Sequence, residues 1–304
     1  SRKYGLTVDD VLAAEMVTAD GQILHVDEEK HPDLFWAIRG GGGNFGVVTR
    51  IKYRLHEVDG VVGGMMVLPA TAEILHRLVA EAEAAPDELS TIINVMMAPP
   101  MPFLPAEAHG QLVILVLLCY AGSAEDGERA VAPLRAVATP IADMVRPTTY
   151  PDMFPPEAPP RIAAASRMVF LDGLSAESAD LIIDRLTWSP APMRAVQLRV
   201  LGGAIARVPD DSTAYVHRGR RLMGNVAAMS TDVSAISEYE PWVAKVAGDL
   251  DDVVPGAYVN FLGDEGPERV REAYPGATWE RLVSVKQTYD PANVFRLNQN
   301  IPPA

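Results

Sequence analysis

Between residues 60 and 255 six apolar, strand-like runs alternate with four helical stretches, and this alternation limits the chain to a sheet carrying helices. The runs are Met65 to Leu68, Ile92 to Met97, Leu112 to Tyr120, Met168 to Leu171, Val196 to Leu201 and Met223 to Met229. The helical stretches lie near Ala72 to Ala84, Ala124 to Val137, Ser175 to Leu186 and Val233 to Leu250. Alternation alone leaves parallel and antiparallel pairing open. The longest apolar run, Leu112 to Cys119, falls short of the roughly 20 residues a membrane-spanning helix needs, and it reads as a buried strand. Glycines 60, 63 and 64 punctuate the start of this section, and the proline-rich stretch Pro147 to Pro160 reads as an irregular loop barred from a central strand.

The flanking sections differ in texture. Near the amino end, Ala14 to Thr18 and Gln22 to Val26 flank Ala19-Asp20-Gly21, a short hairpin signal. His31 to Arg39 reads as a short helix with Pro32 in its first turn, ended by Gly40 to Gly43, and Val47 to Val58 reads as a strand. Past Pro255 the chain is rich in tyrosine, asparagine and turn residues. Glu268 to Ala273 and Thr278 to Tyr289 read as helices, Asp290-Pro291 stops the second, and the tail from Asn298 to Pro303 is extended.

At 304 residues the chain suits one large domain or two modest ones. Its 40 acidic and 26 basic residues give a formal net charge of −14, which repels phosphate backbones and anionic lipid heads and argues against nucleic acid or membrane as partner. A single cysteine, Cys119, excludes an internal disulfide framework and any CxxC site, and within its apolar run it reads as an inert core thiol. The six histidines never fall at metal-ligand spacing, and neither HExxH nor GxSxG occurs. Adjacent acids such as Asp251-Asp252 and Asp264-Glu265 could serve a carboxylate-based hydrolase, or simply be solvated.

Three clusters carry possible chemistry. Gly41-Gly42-Gly43-Asn44-Phe45-Gly46 satisfies G-x-G-x-x-G, but here the order is helix, glycines, strand, the reverse of what a Rossmann pyrophosphate site requires. It is therefore either a flexible helix-to-strand turn or a backbone that a ligand approaches closely. Tyr258-Val259-Asn260 offers a tyrosine that could act as a base if nearby positive charge lowered its pKa from about 10, or a half-buried strand tyrosine with a satisfied hydroxyl. Gly202-Gly203-Ala204 and Thr213 to Arg218 form a polar-aromatic cluster in which His217 and Arg218 face a substrate, cap a turn or join a surface network.

Taken in order, these stretches resemble the berberine bridge enzyme-like FAD-linked oxidases. The resemblance runs through Asp9 to Gly21, continues through Pro32 to Val48, and returns in Tyr258-Val259-Asn260, Tyr274, Arg281-Leu282, Lys286, Tyr289-Asp290-Pro291, Asn293, Phe295 and Ile301-Pro302-Pro303. It is close over the first 58 and last 50 residues or so and general in between. It implies an α+β fold: a partial FAD-binding domain of the PCMH or vanillyl-alcohol-oxidase type, plus a substrate domain with an antiparallel sheet backed by helices. The implied division is 1–58 in the FAD domain, 59–255 for substrate, and 256–304 returning to the FAD domain. By resemblance, Gly41, Gly42, Gly43, Asn44, Phe45, Gly46, Val47 and Val48 lie along the cofactor, Tyr258 is the catalytic base beside the flavin, and Asn260 supports the cofactor pocket. Gly203 and His217 fall on the substrate side.

The implied reaction is oxidation of an alcohol, sugar or secondary metabolite by hydride transfer to FAD, with dioxygen as acceptor. Family members carry an earlier half-domain with the rest of the pyrophosphate loop and, commonly, flavin attachment points. Ser1 resembles an internal start, so the chain is expected to expose apolar surface around residues 1–58 and 255–304, and to hold no ordered FAD and be inactive by itself. A cytoplasmic location fits the one cysteine, with an export signal left open. A non-catalytic small-molecule binding module on the same scaffold is the alternative. Phe45 and Tyr258 must share one body for the oxidase reading to stand.

Overall fold

A computed structural model describes residues 1–154, 162–250, 252–297 and 299–304. The hairpin forms where Asp-Gly demands it. Val11–Val17 (β1) and Ile23–Val26 (β2) pair antiparallel, Gly21 adopts a φ of +80°, and the Thr18 hydroxyl donates to the Asp20 carboxylate at 2.6 Å. Helix α1 (Pro32–Ile38) starts on its proline, and β3 (Val47–Tyr53) returns to the free edge of β1, giving the order β2-β1-β3. The strand predicted to reach Val58 stops at Tyr53, because Tyr53 already pairs with Val11, the first residue of β1. Every residue of β3 is exposed. The expected apolar exposure is present, at Ile23, Val47, Ile51, Leu55 and Leu297 among others.

The apolar runs build one large sheet. Its strands are β4 (Val61–Pro69), β5 (Leu89–Met97), β6 (Leu112–Ala121), β7 (Ala142–Asp143), β8 (Arg146–Thr148), β9 (Ala163–Leu171), β10 (Met193–Val200), β11 (Leu222–Ser230) and β12 (Val253–Val254). The order is β12-β9-β11-β10-β5-β6-β4-β7, with β8 also on β4, and every pairing is antiparallel. Antiparallel pairing lets one face be covered while the other stays partly open.

Helices α2 (Ala72–Ala84), α3 (Ala124–Arg135), α4 (Ala176–Thr187) and α6 (Ile236–Gly248) supply that cover, burying Leu78, Val131, Ile182 and Val246 against Ile93, Val116, Leu198 and Val226. Thr71, Ser123 and Ser175 start the first three by accepting from the amides of Ile74, Asp126 and Ser178. A short α5 (Ala204–Arg207) and the pair α7 (Pro267–Ala273) and α8 (Ala277–Tyr289) complete the chain's helices among the described residues. None is long and apolar enough to cross a membrane.

Two sequence readings need correction here. Gly63-Gly64, read as punctuation, lie inside β4: a Cβ on Gly63 would sit 2.7 Å from the Met153 sulfur, and one on Gly64 would collide with the Met144 carbonyl. Those glycines let the β7–β8 segment cross closely. Pro147, read as part of a loop, pairs with Val62 in β8, an edge position where a missing N–H costs nothing. Residues 155–160 of that proline-rich stretch, Asp251 of the acidic pair and Asn298 of the tail lie outside the described residues.

A second core positions the site. Met16, Leu34, Phe35, Phe45, Ala257, Tyr274, Leu282 and Ile301 pack with Met168, Phe170 and Met223 from the sheet's uncovered face. Amino-terminal, carboxyl-terminal and sheet residues thus share one interior, with Tyr258 packed against it.

Candidate active site

The seam between the open sheet face and the carboxyl-terminal segment gathers aromatic rings. Gly256, at φ +141°, carries the chain past the His217 imidazole, whose Cε1 lies 2.8 Å from where a Cβ would be. Tyr258 follows. It opens a 3-10 turn (Val259–Phe261) rather than lying in a strand. Its phenol oxygen accepts a 2.7 Å hydrogen bond from the Asn260 side-chain amide. Its ring meets Tyr215 edge-on at 5.2 Å and Phe261 at 5.8 Å. Tyr215 is buried and donates to the His217 carbonyl at 3.4 Å, and the His217 ring lies 4.9 Å from Phe170.

Electrostatics qualify the base role. Burial raises the Tyr258 pKa, opposed by the Asn260 hydrogen bond and then by Arg199 and Arg218. Tyr258 is therefore a phenol at neutral pH, and the lowering expected of a ready base is not the net result. Tyr215 and Tyr274 are also pushed up, chiefly by burial. Burial, helped by Arg220, drives His217 down to about 4, so its ring is neutral; its Nε2 is buried without a hydrogen-bond partner among the described residues.

The glycine loop reaches the same seam from the other side. A Cβ on Gly40 would lie 2.6 Å from the Tyr215 amide nitrogen, and the Tyr274 phenol donates to the Gly40 carbonyl at 2.9 Å. Gly41 and Gly46 answer to internal packing as well, since a Cβ on them would lie 2.5 and 2.6 Å from the carbonyl oxygens of Ala37 and Val17. Only Gly42, Gly43, Val47 and Val48 of the predicted cofactor stretch are exposed. Phe45 is buried in the second core. Asn44 is buried too, its amide donating to the Gly41 and Gln299 carbonyls at 2.9 and 3.1 Å and its oxygen accepting from the Ile301 amide at 3.0 Å.

Other predicted residues fall elsewhere. Gly203, at φ +59°, packs on the Arg2 carbonyl and on Asp87. Arg218 is buried, not a surface partner: its guanidinium grips both oxygens of Asp9 at 2.8 and 2.7 Å and also donates to the Thr213 hydroxyl at 2.7 Å. Cys119 is half-buried on β6 rather than in the core, with its thiol pushed up by burial. Glu265 is engaged by Arg167 and Arg269 at 2.6 and 3.2 Å, and Asp252 accepts from the Ser175 amide and hydroxyl, so these acids serve the fold.

Sequence reasoning missed a polar row on the open sheet face. Asn94, Gln197 and Asn225 stand opposite one another across β5, β10 and β11, and Arg199 stands one rung along, its guanidinium 5.1 Å from the Phe261 ring. Its signal was present: Gln197 and Arg199 alternate with Val196, Leu198 and Val200 inside a run read as simply apolar.

The chain is similar to known proteins in sequence and in fold. Residues 257–302 match the family described as berberine and berberine-like. An FAD-linked oxidoreductase of Dictyostelium discoideum is 27% identical over 315 residues, covering 100% of this chain and 65% of that protein. The (R)-6-hydroxynicotine oxidase of Paenarthrobacter nicotinovorans is 29% identical over 329 residues, covering 99% of this chain and 67% of its own length. The crystal structure of 6-hydroxy-D-nicotine oxidase from Arthrobacter nicotinovorans superposes with a TM-score of 0.81 at 23% identity, over 100% of this chain and 68% of that one. The chain thus spans about two thirds of the length of the relatives it matches. From the amino-terminal hairpin to Ile301 the sequence is similar to FAD-linked oxidoreductases, and its carboxyl-terminal segment matches the berberine and berberine-like family.

Proposed function

We propose that this chain forms the substrate-facing side, and part of the flavin-facing side, of an FAD-linked oxidase. It would take hydride from a C–H bond of a small alcohol, sugar or secondary metabolite, with dioxygen as the final acceptor. In this reading segments 1–58 and 256–304 make one domain and 59–255 the other. What supports it most is one juxtaposition: Gly40 abuts Tyr215, and the Tyr215 ring meets Tyr258, so the glycine loop and the Tyr258 turn border one seam.

The residues present fit part of a dinucleotide bed. Gly42 and Gly43 offer open backbone, Gly42 at φ +70°, and Val47 and Val48 offer exposed apolar surface. These four would hold the cofactor, while Gly41, Asn44, Phe45 and Gly46 fix the loop from within. When bound, FAD supplies the hydride acceptor. The Asn260 amide donates to the Tyr258 oxygen, which leaves the phenol's own proton free to move and also favours the phenolate. Arg199 and Arg218 favour the phenolate by their positive charge. As base, Tyr258 would accept the substrate hydroxyl proton, with a rate that rises with pH on the alkaline side. His217 would act from the substrate side by shape, since the imidazole is neutral.

Replacing Tyr258 with Phe in the full-length, flavin-loaded protein should leave the flavin absorbance in place. Flavin reduction by any substrate that bleaches the wild type should fall by about 10²- to 10⁴-fold. Unchanged reduction would reject the base role. The alternative, a non-catalytic binding module, draws on Tyr258 being held as a phenol; a colourless full-length protein would favour it.

A further inference from the structure

We infer that the open face of the large sheet is a floor for an anionic oxygen on a small, flat organic substrate, and that Arg199 recognises it. The inference rests on the oxidase reading above and names the chemistry of its substrate.

Register defines the floor. Leu115, Asn94, Gln197, Asn225 and Met168 stand on one rung across β6, β5, β10, β11 and β9. Ile92, Arg199, Met223 and Phe170 stand on the next. Residues directly opposite on antiparallel strands share a face, so all of these side chains belong to the face away from the covering helices. At one side Met168, Phe170 and Met223 are closed over by the second core, and at the other Leu115 is closed over by Leu104 and the 98–110 loop. Between them Asn94, Gln197, Arg199 and Asn225 are only half-buried.

The row is wired in one direction. Arg199 Nε donates to Gln197 Oε1 at 2.8 Å, Gln197 Nε2 donates to Asn94 Oδ1 at 2.8 Å, and Asn94 Nδ2 donates to the Leu115 carbonyl at 3.3 Å. This relay fixes both amides and orients the guanidinium, while its terminal Nη1 and Nη2 have no hydrogen-bond acceptor among the described residues. No carboxylate stands within ion-pair distance of Arg199 among the described residues, although the chain carries 14 more acidic than basic groups. A half-buried cation without a counter-charge is costly, and two free, oriented N–H donors match a carboxylate or acidic enol oxygen. Asn225 adds a buried Oδ1 with no partner, an acceptor for a neighbouring O–H or N–H of the same molecule. Phe261, under the guanidinium, and Tyr258 beside it give a flat skeleton aromatic surface to lie against.

The test compares benzoate with benzamide, an anion and its neutral match, by ligand-observed NMR titration of the flavin-loaded protein at fixed pH and salt. Benzoate should bind at least about tenfold more tightly, the worth of one charge-assisted hydrogen bond. Arg199→Gln should bring the two affinities together, and Arg199→Lys should keep a reduced preference. Equal affinities in the wild type, or an undiminished preference in Arg199→Gln, would overturn the inference; the wild-type comparison decides by itself if the variant does not accumulate. A flavin-bearing protein indifferent to charge sinks this proposal and leaves the oxidase reading standing. A colourless protein that still prefers benzoate does the reverse.

Discussion

His217 shows how far one side chain's chemistry departs from its sequence context. Beside Arg218 and Arg220 in a polar stretch, it reads as a surface residue or a ligand-facing one; folded, it is buried between Phe170, Tyr215 and Gly256. Its pKa of about 4 lies below the ordinary value of 6.5, so between these values the unfolded chain binds more protons than the folded one. The stabilisation is complete above pH 6.5 and is lost as pH falls through about 4, with a full size of about 3 kcal/mol. His217→Asn should therefore flatten the acid side of the stability curve. Urea midpoints of wild type and variant at pH 7 and pH 4.5 test this; parallel losses in both proteins would contradict it.

Among the elements, α8 is the most instructive. Its extent and its stop at Asp290-Pro291 are legible from sequence, because both follow from local periodicity and from proline geometry. Its role is not. Lys286 Nζ is fully buried and donates to Asp290 at 2.6 Å and to the carbonyls of Asn44 and Phe295 at 2.8 Å each. Burial alone would raise the Asp290 carboxyl, yet the Lys286 bond and the amides of Val294 and Phe295 hold it low. The Asn44 contact joins residues 242 positions apart, beyond any local pattern. Lys286→Met would leave a buried, unpaired carboxylate and should cost about 3–5 kcal/mol. It should also free the tail, read as earlier cleavage after residue 290 in limited proteolysis; an unchanged unfolding midpoint would contradict the clamp. The glycine loop teaches the same lesson, since its order excluded a Rossmann site while only tertiary contact shows that Gly40, Gly41 and Gly46 serve packing.

Across the whole molecule, the amino-terminal hairpin, the sheet and the carboxyl-terminal segment are held as one body by the second core and by the buried Asp9–Arg218 pair. Three of the chain's nine tyrosines, Tyr215, Tyr258 and Tyr274, line the seam, and burial raises the pKa of each. Their stabilisation is present below about pH 10 and is lost as pH rises through their folded values. In a spectrophotometric alkaline titration the buried Tyr215 and Tyr274 should ionise together with unfolding rather than with the exposed phenols; a single smooth titration of all nine in the folded protein would contradict their burial.

The central claim is that the loop around Gly42 and the turn around Tyr258 border one flavin bed. A crystal structure of the flavin-loaded full-length protein tests it most directly. The isoalloxazine ring should lie in contact with Tyr258 and the dinucleotide should pass Gly42 and Gly43; a flavin seated away from both would contradict the claim.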